Sequence, residues 1–172
     1  MALTQYKSTD SGAPNDTGTA GSIIALLDAF LVNGYGSKAP AGWDKEYSGT
    51  NKAVYRAAAG NRHWLRVDDT NAQDARLVGY LTLSDVDTGT GPFPTTVQLS
   101  GGGYMRKSIT ADATARPWWA LADSRYFYLQ IYAGQTVYGN SSIADSGMFF
   151  GEIDSYLTGD AYHTLLIGGT AS

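Results

Sequence analysis

The chain has 172 residues, a formal net charge of −4, no cysteine and only two histidines. Without cysteine there is no disulfide framework, thiolate metal site, iron–sulfur cluster or cysteine nucleophile, and the acidic balance argues against a surface that tracks phosphates. Charged residues reach only 16% against a usual ~25%, while 21 glycines exceed the usual ~7% share and 12 tyrosines add a large aromatic supply.

A hydrophobic fraction of 43% is enough for one buried core and argues against general disorder. The longest apolar stretch, 23–32, is interrupted by Asp28 and is too short to span a bilayer. The first twelve residues carry no basic segment feeding an apolar one, so no secretory signal is expected, and the absence of cysteine fits synthesis in a reducing cytosol.

Residues 1–21 end in a small, polar, aperiodic run, SGAPNDTGTAG. Such a run buries too little to offset its ordering, which predicts an extended arm that only a partner chain orders. Residues 22–172 then form a single compact β-rich domain. Ile23, Ile24, Leu27, Phe30 and Leu31 repeat at helical spacing, with Ser22 or Thr19 as the expected N-terminal cap and Asn33-Gly34 as the stop. So apolar a helix must pack on something, most simply on one face of a sheet.

The segment 34–43 reads as a loop from its Gly and Pro spacing. Beyond it come short β-like runs at 53–57, 63–68, 75–84, 97–99, 104–108, 118–123, 126–132, 149–156 and 163–167, separated by turn chemistry such as Asp68-Asp69-Thr70-Asn71 and the run 87–92. This pattern predicts a mainly β fold, an antiparallel sandwich or small barrel with one N-terminal helix packed on it, nominally α+β. No period repeats, so solenoids and propellers are excluded.

Motifs that would carry chemistry fall short one by one. Glu152 and Asp154 alternate in Gly151-Glu152-Ile153-Asp154, which is similar to the catalytic strand of β-glucanase-like glycosidases. The position three after Asp154 is Leu157, however, so the second catalytic carboxyl is missing, and the reading is a strand whose solvent face carries two acids. A calcium loop starting at Asp85 would need a Glu at its twelfth position and has Thr96, leaving a turn capped by Asp87. His63 and His163 lie far apart in sequence with no metal-ligand spacing around either, and read as structural residues. Gly101-Gly102-Gly103 lacks the lysine and the following helix of a phosphate loop. No catalytic, cofactor or metal residue is therefore assigned, and no cofactor is expected.

Aromatic side chains are the abundant resource. Trp118 and Trp119 are adjacent in a strand and must face opposite sides, so at most one of them enters a given core. Tyr6, Trp43, Trp118 and Trp119 are the expected partner contacts, because Tyr and Trp with few charges is the composition of buried interface cores. A carbohydrate-stacking role for Trp43, Trp118 or Trp119 is the alternative; nucleic acid and membrane are not expected as partners.

The runs Thr4-Gln5-Tyr6-Lys7-Ser8-Thr9-Asp10-Ser11-Gly12-Ala13-Pro14, Gly21-Ser22-Ile23-Ile24-Ala25-Leu26-Leu27-Asp28-Ala29, Asn33-Gly34-Tyr35-Gly36-Ser37-Lys38 through Gly42-Trp43, Gly49-Thr50-Asn51-Lys52-Ala53-Val54-Tyr55-Arg56 and Leu65-Arg66-Val67-Asp68-Asp69 together resemble small virion structural proteins of tailed bacteriophages. The resemblance covers nearly the whole chain and carries no catalytic motif. It implies a non-enzymatic, homo-oligomeric component of the virion. Most simply this is a head decoration (cement) protein contacting the major capsid protein and symmetry-related copies of itself, with a tail, neck or baseplate component as the alternative.

Overall fold

The computed structural model describes residues 3–134 and 145–168; residues 1 and 2 of the expected arm, and 135–144 and 169–172 of the expected domain, lie outside them. Two antiparallel sheets face each other. One has five strands in the order β1 (Thr4–Lys7), β8 (Trp118–Ala122), β9 (Tyr126–Ile131), β10 (Ser146–Glu152) and β11 (Thr164–Ile167). The other runs β2 (Asp44–Gly49), β3 (Lys52–Arg56), β4 (Trp64–Asp68), β5 (Asp74–Asp85) and β6 (Thr88–Phe93). β7 (Gly103–Arg106) pairs with the first half of the long β5, while β6 pairs with its second half. Neither sheet closes on itself, so the mainly β expectation resolves to a sandwich and not a barrel.

The alternation that marks the strands also builds the core. Trp118, Ala120 and Ala122 of β8, Phe127, Leu129 and Ile131 of β9, and Met148 and Phe150 of β10 point inward from the first sheet. Ala53 and Tyr55, Leu65 and Val67, Ala75 and Leu77, and Met105 answer from the second. The helix, α1 (Ser22–Leu27), widens into a π-helical turn at Asp28–Asn33, and its apolar residues join the same core cluster as Ala120 and Ala122 of β8. Phe30 from this turn sits against Trp118 and Phe127, at ring-centre separations of 6.3 and 5.7 Å. Gly34 ends the helical segment at a φ of 74°, where a side chain would be strained.

Five expectations change. First, the arm is not free: β1 pairs with β8, Tyr6 is fully buried, and Arg116 donates its backbone N–H to Asp16 O at 2.8 Å. Apolar burial by one tyrosine and strand pairing supply what the polar composition of 1–21 lacks. Second, neither Ser22 nor Thr19 caps α1; the carboxylate of Asp69, in the loop after β4, accepts the N–H of Ile23 at 2.8 Å. Third, residues 97–99 form a turn rather than a strand, closed by Leu99 N–H on Thr95 O, with Val97 almost fully exposed. Fourth, β6 occupies part of the run read as loop, because Gly89 and Gly91 let the chain approach β5 where a Cβ would strike Leu83 and Leu81. Fifth, Asp87 does not cap its own turn; it receives Lys52 at 2.9 Å and the Arg66 guanidinium.

Candidate functional site

The two outer faces of the sandwich differ in chemistry. On the six-stranded side the exposed positions carry paired charges. Arg66, Lys52, Asp68 and Asp87 form one cluster, and Arg56 lies over the Trp64 ring at 4.4 Å. Beneath these, Val54, Trp64 and Leu83 make a small second apolar cluster with Tyr47 stacked on Trp64.

The outer face of the five-stranded sheet has an uncharged middle, with Lys7 of β1 opposite Trp119 and with Asp145, Arg125 and Asp154 at its margins. Strand register sets Leu121 opposite Tyr128, Tyr128 opposite Phe149, and Phe149 opposite Ile167, so one uncharged row crosses β8, β9, β10 and β11. Cross-strand partners share a face, and these side chains are the outward members of strands whose other members fill the core. Trp119 flanks the row at 5.2 Å from the Tyr128 ring, and Tyr126 stacks on Phe149 at 5.8 Å. The Tyr128 hydroxyl donates to Gln130 Oε1 at 2.7 Å, and Gly147 leaves open the space where a Cβ would meet both groups. A groove of about 430 Å³ runs here between Tyr128, Phe149 and Ile167. The face continues along β11, the sheet's edge strand, where Leu165 and Ile167 are 41% and 56% exposed, and Ile153 just past β10 lies beside Tyr126 and Phe149.

Of the expected contact residues, only Trp119 belongs to this face. Tyr6, Trp43 and Trp118 are corrected to core positions. Their polar atoms are spoken for as well: Tyr6 Oη donates to Ala39 O at 2.8 Å, Trp43 Nε1 to Asp123 O at 2.7 Å and Trp118 Nε1 to Pro14 O at 3.0 Å. A buried indole or phenol with its donor satisfied inside the fold offers nothing to a partner or a sugar ring. The signal for this outer face was in the sequence, as the second register of the same alternating strands: Trp119, Leu121, Tyr126, Tyr128 and Phe149 are the residues between the core members.

A second cluster gathers what the sequence scattered. Glu152 folds inward, only 12% exposed at its side chain, and its Oε2 accepts the Asn61 N–H at 2.7 Å. It lies against Gly60, whose φ of +78° and missing Cβ make the approach possible. His163 is beside it, with Nδ1 3.7 Å from Glu152 Oε1; the same Nδ1–H donates to Ile153 O at 2.6 Å. His63 sits near enough to feel both groups. Burial pushes its pKa down, the neighbouring His163 adds to that, and Glu152 opposes. A cleft of about 340 Å³ opens between His63, Phe93, Tyr162 and Thr164.

The geometry gives Glu152 a fastening role, since its carboxylate closes the 60–61 turn instead of facing a reactant. Asp154 lies beyond the end of β10, is 93% exposed and turns to Arg125 at 3.4 Å, so the two acids do not share a strand face as expected. Among the described residues no group of three or more His, Asp or Glu converges as a metal site. Comparison with family models, with curated proteins and with solved structures finds no match to this chain.

Proposed function

We propose that this chain is a non-enzymatic structural protein of a tailed-bacteriophage virion, a head decoration protein that seats the outer face of its five-stranded sheet on the capsid and on copies of itself. The observation that carries the reading is the uncharged row Leu121–Tyr128–Phe149–Ile167 with Trp119 and Tyr126 beside it. Aromatic side chains at the centre and charges displaced to the rim are what a stable protein contact requires. The resemblance to virion proteins across the chain supplies the particle, and the face supplies the means of attachment. The opposite outer face, covered by paired charges, suits solvent. Fastening of Glu152 and exposure of Asp154 speak against a glycosidase.

The test is a folded variant with a charged face, Tyr128→Lys with Ile167→Lys. Circular dichroism and melting should stay close to the parent, because both side chains are outside the core. Incorporation into particles should fall about tenfold or more, as expected when interface anchors are lost. Normal incorporation of the folded variant rejects this face as the attachment site. A copy number matching the capsid lattice supports decoration, whereas a single ring of copies moves the protein to the neck, tail or baseplate. Sugar-dependent quenching of Trp119 would instead favour the carbohydrate-binding alternative.

A further inference from the structure

Three ionisable side chains below the first turn of α1 are withdrawn from water: Lys107, Asp69 and Asp16 are each 0% exposed. They come from the segment after β7, the loop after β4 and the stretch before α1, so the fold alone brings them together. Lys107 Nζ is in direct contact with Asp69 Oδ1 and also reaches Thr19 O at 2.7 Å. Asp69 Oδ2 accepts the backbone N–H groups of Ile23 at 2.8 Å and Ile24 at 3.4 Å. Asp16 couples electrostatically to both members of the pair, and its Oδ1 accepts the Ser22 hydroxyl at 2.9 Å. Its Oδ2 is buried with no hydrogen-bond partner among the described residues. The proposed attachment face uses none of these groups.

We propose that Lys107 and Asp69 are joined by an intramolecular amide bond, formed by the fold itself with Asp16 as the proton carrier. In water, hydration of ammonium and carboxylate keeps such a pair apart; with both ions stripped of water that advantage is gone. The product, by contrast, is fully satisfied here. Its N–H has Thr19 O, and its carbonyl, the former Asp69 Oδ2, keeps the two N–H donors of Ile23 and Ile24.

The step balances without any outside reagent. The ammonium passes one proton to Asp69 Oδ1, giving an amine and a carboxylic acid. Nζ then attacks Cγ, forming the C–N bond and placing negative charge on Oδ2, where the Ile23 and Ile24 N–H groups hold it as an oxyanion. The Cγ–Oδ1 bond breaks as Oδ1 takes the Asp16 proton and departs as water. The surplus proton on nitrogen returns to Asp16. Overall the three ammonium hydrogens become one amide hydrogen and two of water, and Asp16 is unchanged. Burial, the largest influence on Asp16, raises its pKa to about 8, so it holds the required proton at neutral pH. Its unpaired oxygen thereby acquires a use.

The experiment is intact mass spectrometry of the purified, then denatured, full chain, followed by tryptic mapping. The expected mass is one water below that of the sequence, with no cleavage after Lys107 and one branched peptide joining the Lys107 and Asp69 segments. Asp69→Asn should lose ammonia in place of water, a mass change that no ion pair produces. Asp16→Asn, matched in shape, should stay folded by circular dichroism and show the full mass. A folded parent chain at the full sequence mass that trypsin cuts after Lys107 overturns the bond. A water loss mapped to other residues overturns it equally. Complete cross-linking in Asp16→Asn removes Asp16 from the step. Since the first measurement uses the unaltered chain, a variant that fails to fold does not shield the proposal.

Discussion

Replacing Tyr6 with Ala tests whether the N-terminal segment is an arm or a member of the sandwich. The ring is fully buried, 5.6 Å from the centre of Phe30 and 6.0 Å from that of Tyr35, and its hydroxyl donates to Ala39 O at 2.8 Å. Truncating a buried aromatic to Ala costs about 3–5 kcal/mol, because the transfer energy is lost and the cavity only partly collapses. The loss of the hydrogen bond, which leaves the Ala39 carbonyl without this donor, places the cost toward the upper end. Against a total stability of about 5–15 kcal/mol this is a large share. At roughly 2–4 °C per kcal/mol for a chain of this size, melting should fall by about 6–20 °C. The assay is thermal and urea unfolding followed by tryptophan fluorescence, with Tyr6→Phe as companion. That variant keeps the ring and loses one hydrogen bond, about 1 kcal/mol. A Tyr6→Ala chain melting within about 2 °C of the parent would refute the reasoning and restore the free arm.

Two further outcomes follow from the buried carboxylates. Burial pushes the Asp16 pKa up to about 8 in the folded chain, whereas the unfolded chain loses this proton near the ordinary carboxylate value of 3.8. The folded state therefore binds the extra proton across that window, and this group's contribution to stability falls as pH rises from about 4 to 8. Urea unfolding across that range should show the decline, and Asp16→Asn should flatten it; an unchanged slope in the variant would reject Asp16 as its source. Glu152→Ala should cost about 1–3 kcal/mol by leaving the Asn61 N–H without its acceptor, while Glu152→Gln keeps an oxygen there and recovers most of it. Equal melting of the two variants would mean that the carboxylate does not fasten the turn.

Local pattern was sufficient wherever a segment's own residues dictated the answer. The alternation in 126–132 places Phe127, Leu129 and Ile131 inside, and it fixes Trp118 and Trp119 on opposite sides before any fold is known. The helix at 22–33 follows from its apolar stripe, and Gly34 from the need for a positive φ. Tyr6 escaped because one aromatic in a polar run says nothing about the edge strand it will join. β6 escaped because its glycines mark close approach to β5, which resembles loop composition when β5 is out of sight.

The side-chain clusters were invisible for a different reason. Asp69 caps a helix more than forty positions earlier, His63 and His163 meet beside Glu152, and Lys107 reaches Asp69 across 38 positions. Sequence spacing reports contacts within one helix or strand, whereas these are set by the loops of a two-sheet stack. The sequence by itself determined a mainly β, cysteine-free chain of low charge with one helix and aromatic side chains to spare. Only the tertiary structure decided which aromatics were spent on the core and which were left outside. A strand buries one of its two faces, and which partner layer covers that face is a property of the whole fold.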